Sequence, residues 1–182
     1  GKTTTIRCIM DVFQADSGEI LLDGKPFNRA DHRIGYMPEE RGMYEKVPVI
    51  DQLVYFGELK GMERSAAKAS AMHYLERLNL QDRASDKLEK LSKGNQQKIQ
   101  IIQSLIDDPE ILILDEPFSG LDPVNARTLK DFILEHLAKD RIVLFSSHQM
   151  TVVEEFCDDI TLIREGDVLL SGHLDDIKQE WG

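Results

Sequence analysis

The sequence predicts an α/β protein: a parallel sheet with helical crossovers, a helical insertion in the middle of the chain, and a small antiparallel β part. Three observations predict it. Short apolar runs at Ile111–Asp115, Arg141–Ser146 and Ile160–Arg164 alternate with helical patterns over about 124–138 and 149–157, and strands that alternate with helices pair in parallel through right-handed crossovers. From about 49 to 107 the pattern is helical almost throughout, carried by Ile50, Leu53, Val54 and Gly57, then Ala71 to Leu80, then Ile99, Ile102, Leu105 and Ile106. Turn signals at Asp23-Gly24 and Glu165-Gly166-Asp167 each join two short stretches.

Taken in order, residues 3–13 read as a helix, with Ile6, Ile9, Met10 and Phe13 on one face. Glu19–Asp23 and a return at Pro26-Phe27 read as a β-ribbon turned at Asp23-Gly24. Ile34–Met37 is a short strand closed by Pro38. The helical stretch follows. Ile111–Leu114 is a continuous apolar run, as expected of a strand buried on both faces. Glu165-Gly166-Asp167 reads as a hairpin turn into Val168–Ser171, and a last helix runs to Glu180. The expected division is an α/β core at 1–38 and 108–182, with 39–107 inserted as a helical subdomain.

The chain has 182 residues, one domain's worth and enough for a sizeable core. It carries 22 basic against 33 acidic residues, a net charge of −11. That balance argues against a nucleic-acid surface, which needs a basic stripe, and against adsorption to anionic lipid. Cys8 and Cys157 lack metal-ligand or CxxC spacing and read as buried packing thiols. No apolar run reaches the roughly 18 residues of a membrane span. There is no internal repeat, low-complexity tract or visible signal peptide.

Gly1-Lys2-Thr3-Thr4 matches the end of the pattern G-x-x-x-x-G-K-[ST]. In it the Lys2 ammonium reaches the β- and γ-phosphates, and the Thr3 hydroxyl serves Mg²⁺. A helix starting there points its N-terminus at the anion. Gly-Lys-Thr alone is common by chance, so later motifs must carry the inference. Asp115-Glu116 closes the apolar run, where α/β sheets bind ligands. Asp115 suits Mg²⁺ through water, because that ion keeps much of its hydration. Glu116 suits orientation or deprotonation of an attacking water. A lone Asp-Glu is more often a pair of surface acids capping a strand. Ser92 and Gly94 open the amphipathic helix Gln96–Ile106 and offer a hydroxyl and backbone N–H groups to a phosphate. Alone, Ser92 reads as an ordinary N-cap. His148 follows a strand, whereas His32, His73, His136 and His173 carry no motif and read as surface or packing residues.

Read together, these motifs resemble the ATP-binding subunit of an ABC transporter, and the resemblance covers essentially the whole chain. Leu91-Ser92-Lys93-Gly94-Asn95 resembles the family signature Leu-Ser-Gly-Gly-Gln and departs from it at Lys93 and Asn95. Ser119-Gly120-Leu121-Asp122 resembles the D-loop, which crosses a dimer seam. Ser146-Ser147-His148 resembles the switch histidine segment. Gly35-Tyr36-Met37-Pro38-Glu39-Glu40 resembles the Q-loop, with Glu39 where a glutamine is usual; a carboxylate can still bind the ion or its water. Glu40-Arg41-Gly42-Met43-Tyr44 and Val49–Gly61 resemble ATPases of bacterial sodium or drug exporters.

The resemblance implies a P-loop NTPase (RecA-like) core that binds ATP with Mg²⁺. Gly1, Lys2, Thr3, Thr4, Glu39, Ser92, Gly94, Asn95 and Asp122 would contact nucleotide, Thr3, Asp115 and Glu39 the metal, and Glu116 and His148 would be catalytic. It implies a head-to-tail homodimer or heterodimer, in which Ser92 acts on the partner's nucleotide. It also implies a membrane-spanning permease subunit that holds the ATPase at the cytoplasmic face of the cell membrane, and no nucleic acid. The runner-up is an ABC-type ATPase without a pore, of translation-factor or repair type, although no long heptad run favours the latter. A non-catalytic interaction module is the third reading; Glu116 and His148 argue against it. The chain begins inside the phosphate-loop pattern, so the expectation is a piece truncated at its N-terminus that alone binds Mg-ATP weakly and lacks significant ATPase activity.

Overall fold

In chain order the elements are α1 (Lys2–Ile9), β1 (Leu21–Leu22), β2 (Lys25–Pro26), β3 (Ile34–Met37), α2 (Val49–Leu59), α3 (Arg64–Arg77), α4 (Lys93–Leu105), β4 (Ile111–Asp115), α5 (Pro123–Leu137), β5 (Ile142–Ser146), α6 (Met150–Phe156), β6 (Asp159–Arg164), β7 (Asp167–His173) and α7 (Leu174–Trp181). The computed structural model of the chain describes residues 1–40, 42–137 and 141–181. Arg41, in the exporter-like stretch, and Ala138, the expected end of a helix, lie outside them. The chain forms two compact units, Asn28–Phe145 and Gly1–Phe27 with Ser146–Gly182.

In the first of these units the strand order is β3-β4-β5. β3 and β4 are parallel, with Ile34 opposite Ile111 and Met37 opposite Leu114. All five residues of β4 are buried, which explains its unbroken apolar run. The Ile142 N–H donates to the Glu110 carbonyl at 3.1 Å. Beside it, Arg141 donates to the Asp108 carboxylate at 2.6 Å and the Pro109 carbonyl at 3.1 Å, pinning the start of β5. Helices α2, α3 and α4 pack on one another, and α4 lies on β3. That last contact depends on Gly35. A Cβ there would stand 2.2 Å from the Ser104 carbonyl oxygen. The fully buried side chains include Leu53, Leu75, Ile99, Ile102, Leu105, Leu112, Ile113 and Leu114, with Leu129 and Ile133 from α5.

Ahead of α2 the chain is held by an amide. Gln52, 1% exposed, accepts from the Tyr44 N–H at 3.2 Å and donates to the carbonyls of Tyr44 at 3.3 Å and Val47 at 3.1 Å. Met43 and Val54 are buried in the core, while Tyr44 is exposed. The Tyr44 ring stacks on Phe56 at 6.2 Å and meets Tyr55 edge-on at 6.5 Å.

In the other unit, β1 and β2 form the expected ribbon, turned at Asp23 and Gly24 with φ of +52° and +73°. Positive φ at both central residues is the hairpin geometry that matches strand twist. Helix α1 ends earlier than its pattern predicts. Asp11 takes φ +56° two residues past Ile9, and Phe13, expected on the packed face, is exposed. β6 forms the hairpin expected at Glu165-Gly166-Asp167 and stays out of the parallel sheet that its apolar run also predicts. It pairs antiparallel with β7, Asp159 opposite His173 and Arg164 opposite Asp167, in a separate two-stranded sheet. The Glu165-Gly166 turn, φ +53° and +100°, places the partner next in sequence, so the local hairpin wins over a distant parallel neighbour. Cys8 and Cys157 are free and half-buried rather than buried, and burial and the Asp158 charge push the Cys157 thiol pKa up.

Candidate functional site

Gly1 sits at the N-cap of α1 without a side chain to cap it, and its carbonyl accepts from the Thr5 N–H at 2.9 Å and the Thr5 hydroxyl at 3.0 Å. Thr3 is half-buried and Thr4 exposed on the first turn. The Lys2 ammonium donates to the Ser147 carbonyl at 3.0 Å. That brings Lys2 beside the peptide that leads into His148. His148 itself is exposed, just before α6. The Ser147 hydroxyl accepts from the Gln149 N–H at 3.0 Å and so shapes the turn between β5 and α6.

The carboxylates come from two adjacent parallel strands. Because Met37 pairs with Leu114, Pro38-Glu39 and Asp115-Glu116 leave the sheet at the same edge. That edge is the carboxyl end of the strands, where open α/β sheets receive ligands. Asp115 is 1% exposed. Glu116 is half-buried and has φ +52°. A side-chain-bearing residue in that region is held there by its surroundings. Glu39 is exposed.

The signature segment and the D-loop segment meet within this same unit. The Ser92 hydroxyl accepts from the Asn95 N–H at 3.3 Å and caps α4. Gly94 is buried, and a Cβ there would approach the Asn125 amide nitrogen to 2.9 Å. Asn125 in turn donates to the Asp122 carboxylate at 2.5 Å. The other Asp122 oxygen accepts from the N–H groups of Val124 and Asn125, each at 3.0 Å, and opens α5. These bonds, the Asn125 backbone N–H first, hold the Asp122 carboxyl pKa below its usual value. Burial pushes the Lys98 pKa down, and the Asp122 charge opposes it. Gln97, 8% exposed on α4, donates to the Pro117 carbonyl.

The sequence reading therefore missed three residues, Gln52, Gln97 and Asn125. Each is a side-chain amide or its partner bridging a helix to a loop. The signal present in the sequence was polar residues among the apolar positions of a helix, such as Gln97 one turn before Ile101 and Gln100 between Ile99 and Ile101. The remaining histidines serve packing or surface contacts. His136 is buried, the His73 ring meets Tyr74 at 5.4 Å, and His32 lies 3.5 Å from the Glu110 carboxylate.

Residues 1–119 match the protein family described as ABC transporter. The chain is 47% identical over 183 residues to the uncharacterized ABC transporter ATP-binding protein YhaQ of Bacillus subtilis (strain 168), covering 100% of this chain and 61% of that protein. It is 33% identical over 176 residues to the Nod factor export ATP-binding protein I of Burkholderia lata, covering 94% of this chain and 58% of that one. A solved structure described as the ATP binding subunit of an ABC transporter superposes with a TM-score of 0.85 at 29% identity, covering 100% of this chain and 77% of that one. The chain thus spans about three fifths of the length of the two relatives named.

Proposed function

The chain belongs to the ABC transporter family of ATP-binding proteins, and from that premise we propose that it binds and hydrolyses ATP to power a membrane exporter. The observation that carries the reading is the buried Asp115 followed by Glu116 at the carboxyl edge of β4, with Glu39 leaving β3 at that edge. Lys2 neutralises phosphate charge, and the α1 N-terminus, with Gly1, Thr3 and Thr4, receives the phosphate oxygens. Glu116 takes a proton from the attacking water, and His148 holds the γ-phosphate.

The donors fit Mg²⁺. Thr3, Asp115 and Glu39 offer hard oxygens, the ligand type that Mg²⁺ takes. Such an ion is held by one or two protein oxygens plus phosphates and water. When bound, it neutralises charge on the phosphates. Ser92, Gly94 and Asn95 act on the nucleotide held by a second ATPase subunit, head to tail, and Asp122 lies at that seam.

The membrane partner is a permease, a reading supported by the match to the family described as ABC transporter. We assign its contact to the exposed Tyr44 and Tyr55, clustered with half-buried Phe56, which Gln52 and α2 hold in place. Export is the direction favoured by the relative named for Nod factor export. This subunit would then sit peripherally on the cytoplasmic face.

Glu116→Gln tests the hydrolytic assignment. The amide keeps size and hydrogen bonding but cannot accept the proton. Phosphate release by the intact protein should fall by about 10²–10⁴-fold while nucleotide affinity holds. Near-normal phosphate release from pure Glu116→Gln protein would sink the assignment.

A further inference from the structure

Glu116 is held in the left-handed region, φ +52°, and the next residue is a proline, which has no N–H to anchor the turn. Inside the turn, the Ser119 N–H donates to the Glu116 carbonyl at 3.1 Å and the Leu121 N–H to Phe118 at 3.3 Å. Phe118 also packs edge-on against Phe145 at 6.1 Å. The Pro117 carbonyl is gripped from a different element, by the Gln97 side-chain amide on α4. Gln97 is nearly enclosed, so this amide is not competing with bulk water. Its removal leaves a buried carbonyl without that donor.

We propose that Gln97 is a positioning residue for hydrolysis: its amide fixes the Pro117 carbonyl in the turn that follows Glu116 and so aims the Glu116 carboxylate at the attacking water. This rests on the hydrolytic role proposed for Glu116. Gln97 stands three residues after Gly94, on the same face of α4. Gly94 is in turn packed on Asn125, which bonds Asp122. Two contacts therefore join the start of α4 to the segment after β4, one at each end of that segment. A displacement of the signature segment by phosphate is passed to the Glu116 turn through the Gln97 amide.

The test uses Gln97→Met, which keeps the length of the side chain and removes the donor, and Gln97→Glu, which keeps the shape and an acceptor but loses the NH₂. In the intact protein each should lower kcat by about 10- to 100-fold, the scale of a misplaced catalytic group. Nucleotide affinity and KM should stay within about twofold. In a Glu116→Gln background, Gln97→Met should cause no further loss of the residual single-turnover rate, because there is no base left to aim. Unchanged kcat in either folded variant overturns the proposal. So does a loss of nucleotide affinity that matches the loss of rate, or a full further loss in the Glu116→Gln background; a merely structural role predicts both. Turnover that persists in Glu116→Gln alone removes the hydrolytic role itself and the proposal with it.

Discussion

At Gly35 a hydrogen atom occupies the place where any other residue carries carbon. The Ser104 carbonyl comes so close that a methyl group would sit 2.2 Å from it and 2.9 Å from Leu112. The obstacle on one side is backbone within a helix, which cannot rotate away. Gly35→Ala should therefore destabilise the protein by about 1–3 kcal/mol, the usual cost of overpacking. Denaturant unfolding checks this, and an unchanged midpoint would show that α4 yields more easily than its packing implies. The residues that were legible in the sequence are those whose chemistry is local: Lys2 after a glycine, Asp115 at the end of an apolar run, Ser92 ahead of a helix. Gln97 and Asn125 were not legible, because each acts through a carbonyl or carboxylate brought to it by folding. No local pattern distinguishes a buried amide with a distant partner from one facing water.

Among elements, β3 and β4 emerged with the bounds their apolar runs predict, since a short run closed by Pro38 or by Asp115 has little freedom in where it ends. The partner of β6 was legible in the Glu165-Gly166-Asp167 turn, but its absence from the parallel sheet was not, because patterning says that a strand exists and not which sheet it joins. In the exporter-like stretch Met43 and Val54 are core, whereas Tyr44 reaches the surface. Helix α2 buries Val49, Gln52, Leu53, Val54 and Gly57, more than one stripe, because it packs on both α3 and α4. The loop carrying Tyr44 hangs on Gln52. Gln52→Leu should leave the Tyr44 and Val47 carbonyls without that donor and cost about 1–3 kcal/mol. Hydrogen exchange at the Tyr44 amide should quicken by at least the same free energy. Unaltered protection at Tyr44 would show that the loop is held by its other contacts.

For the whole molecule, the α/β class with a helical insertion was legible because alternation and helical periodicity extend over many residues. The proposed head-to-tail pairing is tested by mixing. A Ser92→Arg subunit combined with a Lys2→Ala subunit should regain one intact composite site, whereas each mutant alone has both sites damaged. ATPase activity of the mixture no greater than that of the separate mutants, with ATP-dependent dimers still seen by light scattering, would argue against shared sites. The parallel pairing of β3 with β4 has another consequence, in the order of assembly. All of α2, α3 and α4 lies between the two strands in sequence. As the chain is synthesised, β3 is made first and must wait for its neighbour while three helices appear. Those helices have local contacts to form, whereas the strand pair must close the whole intervening loop before any ladder bond forms. Until then Ile34 and Met37 belong to an unpaired apolar strand, the kind of edge that seeks other chains. Gly35 sits in the middle of that strand, and the helix it is shaped to receive, α4, is the last of the three to be made.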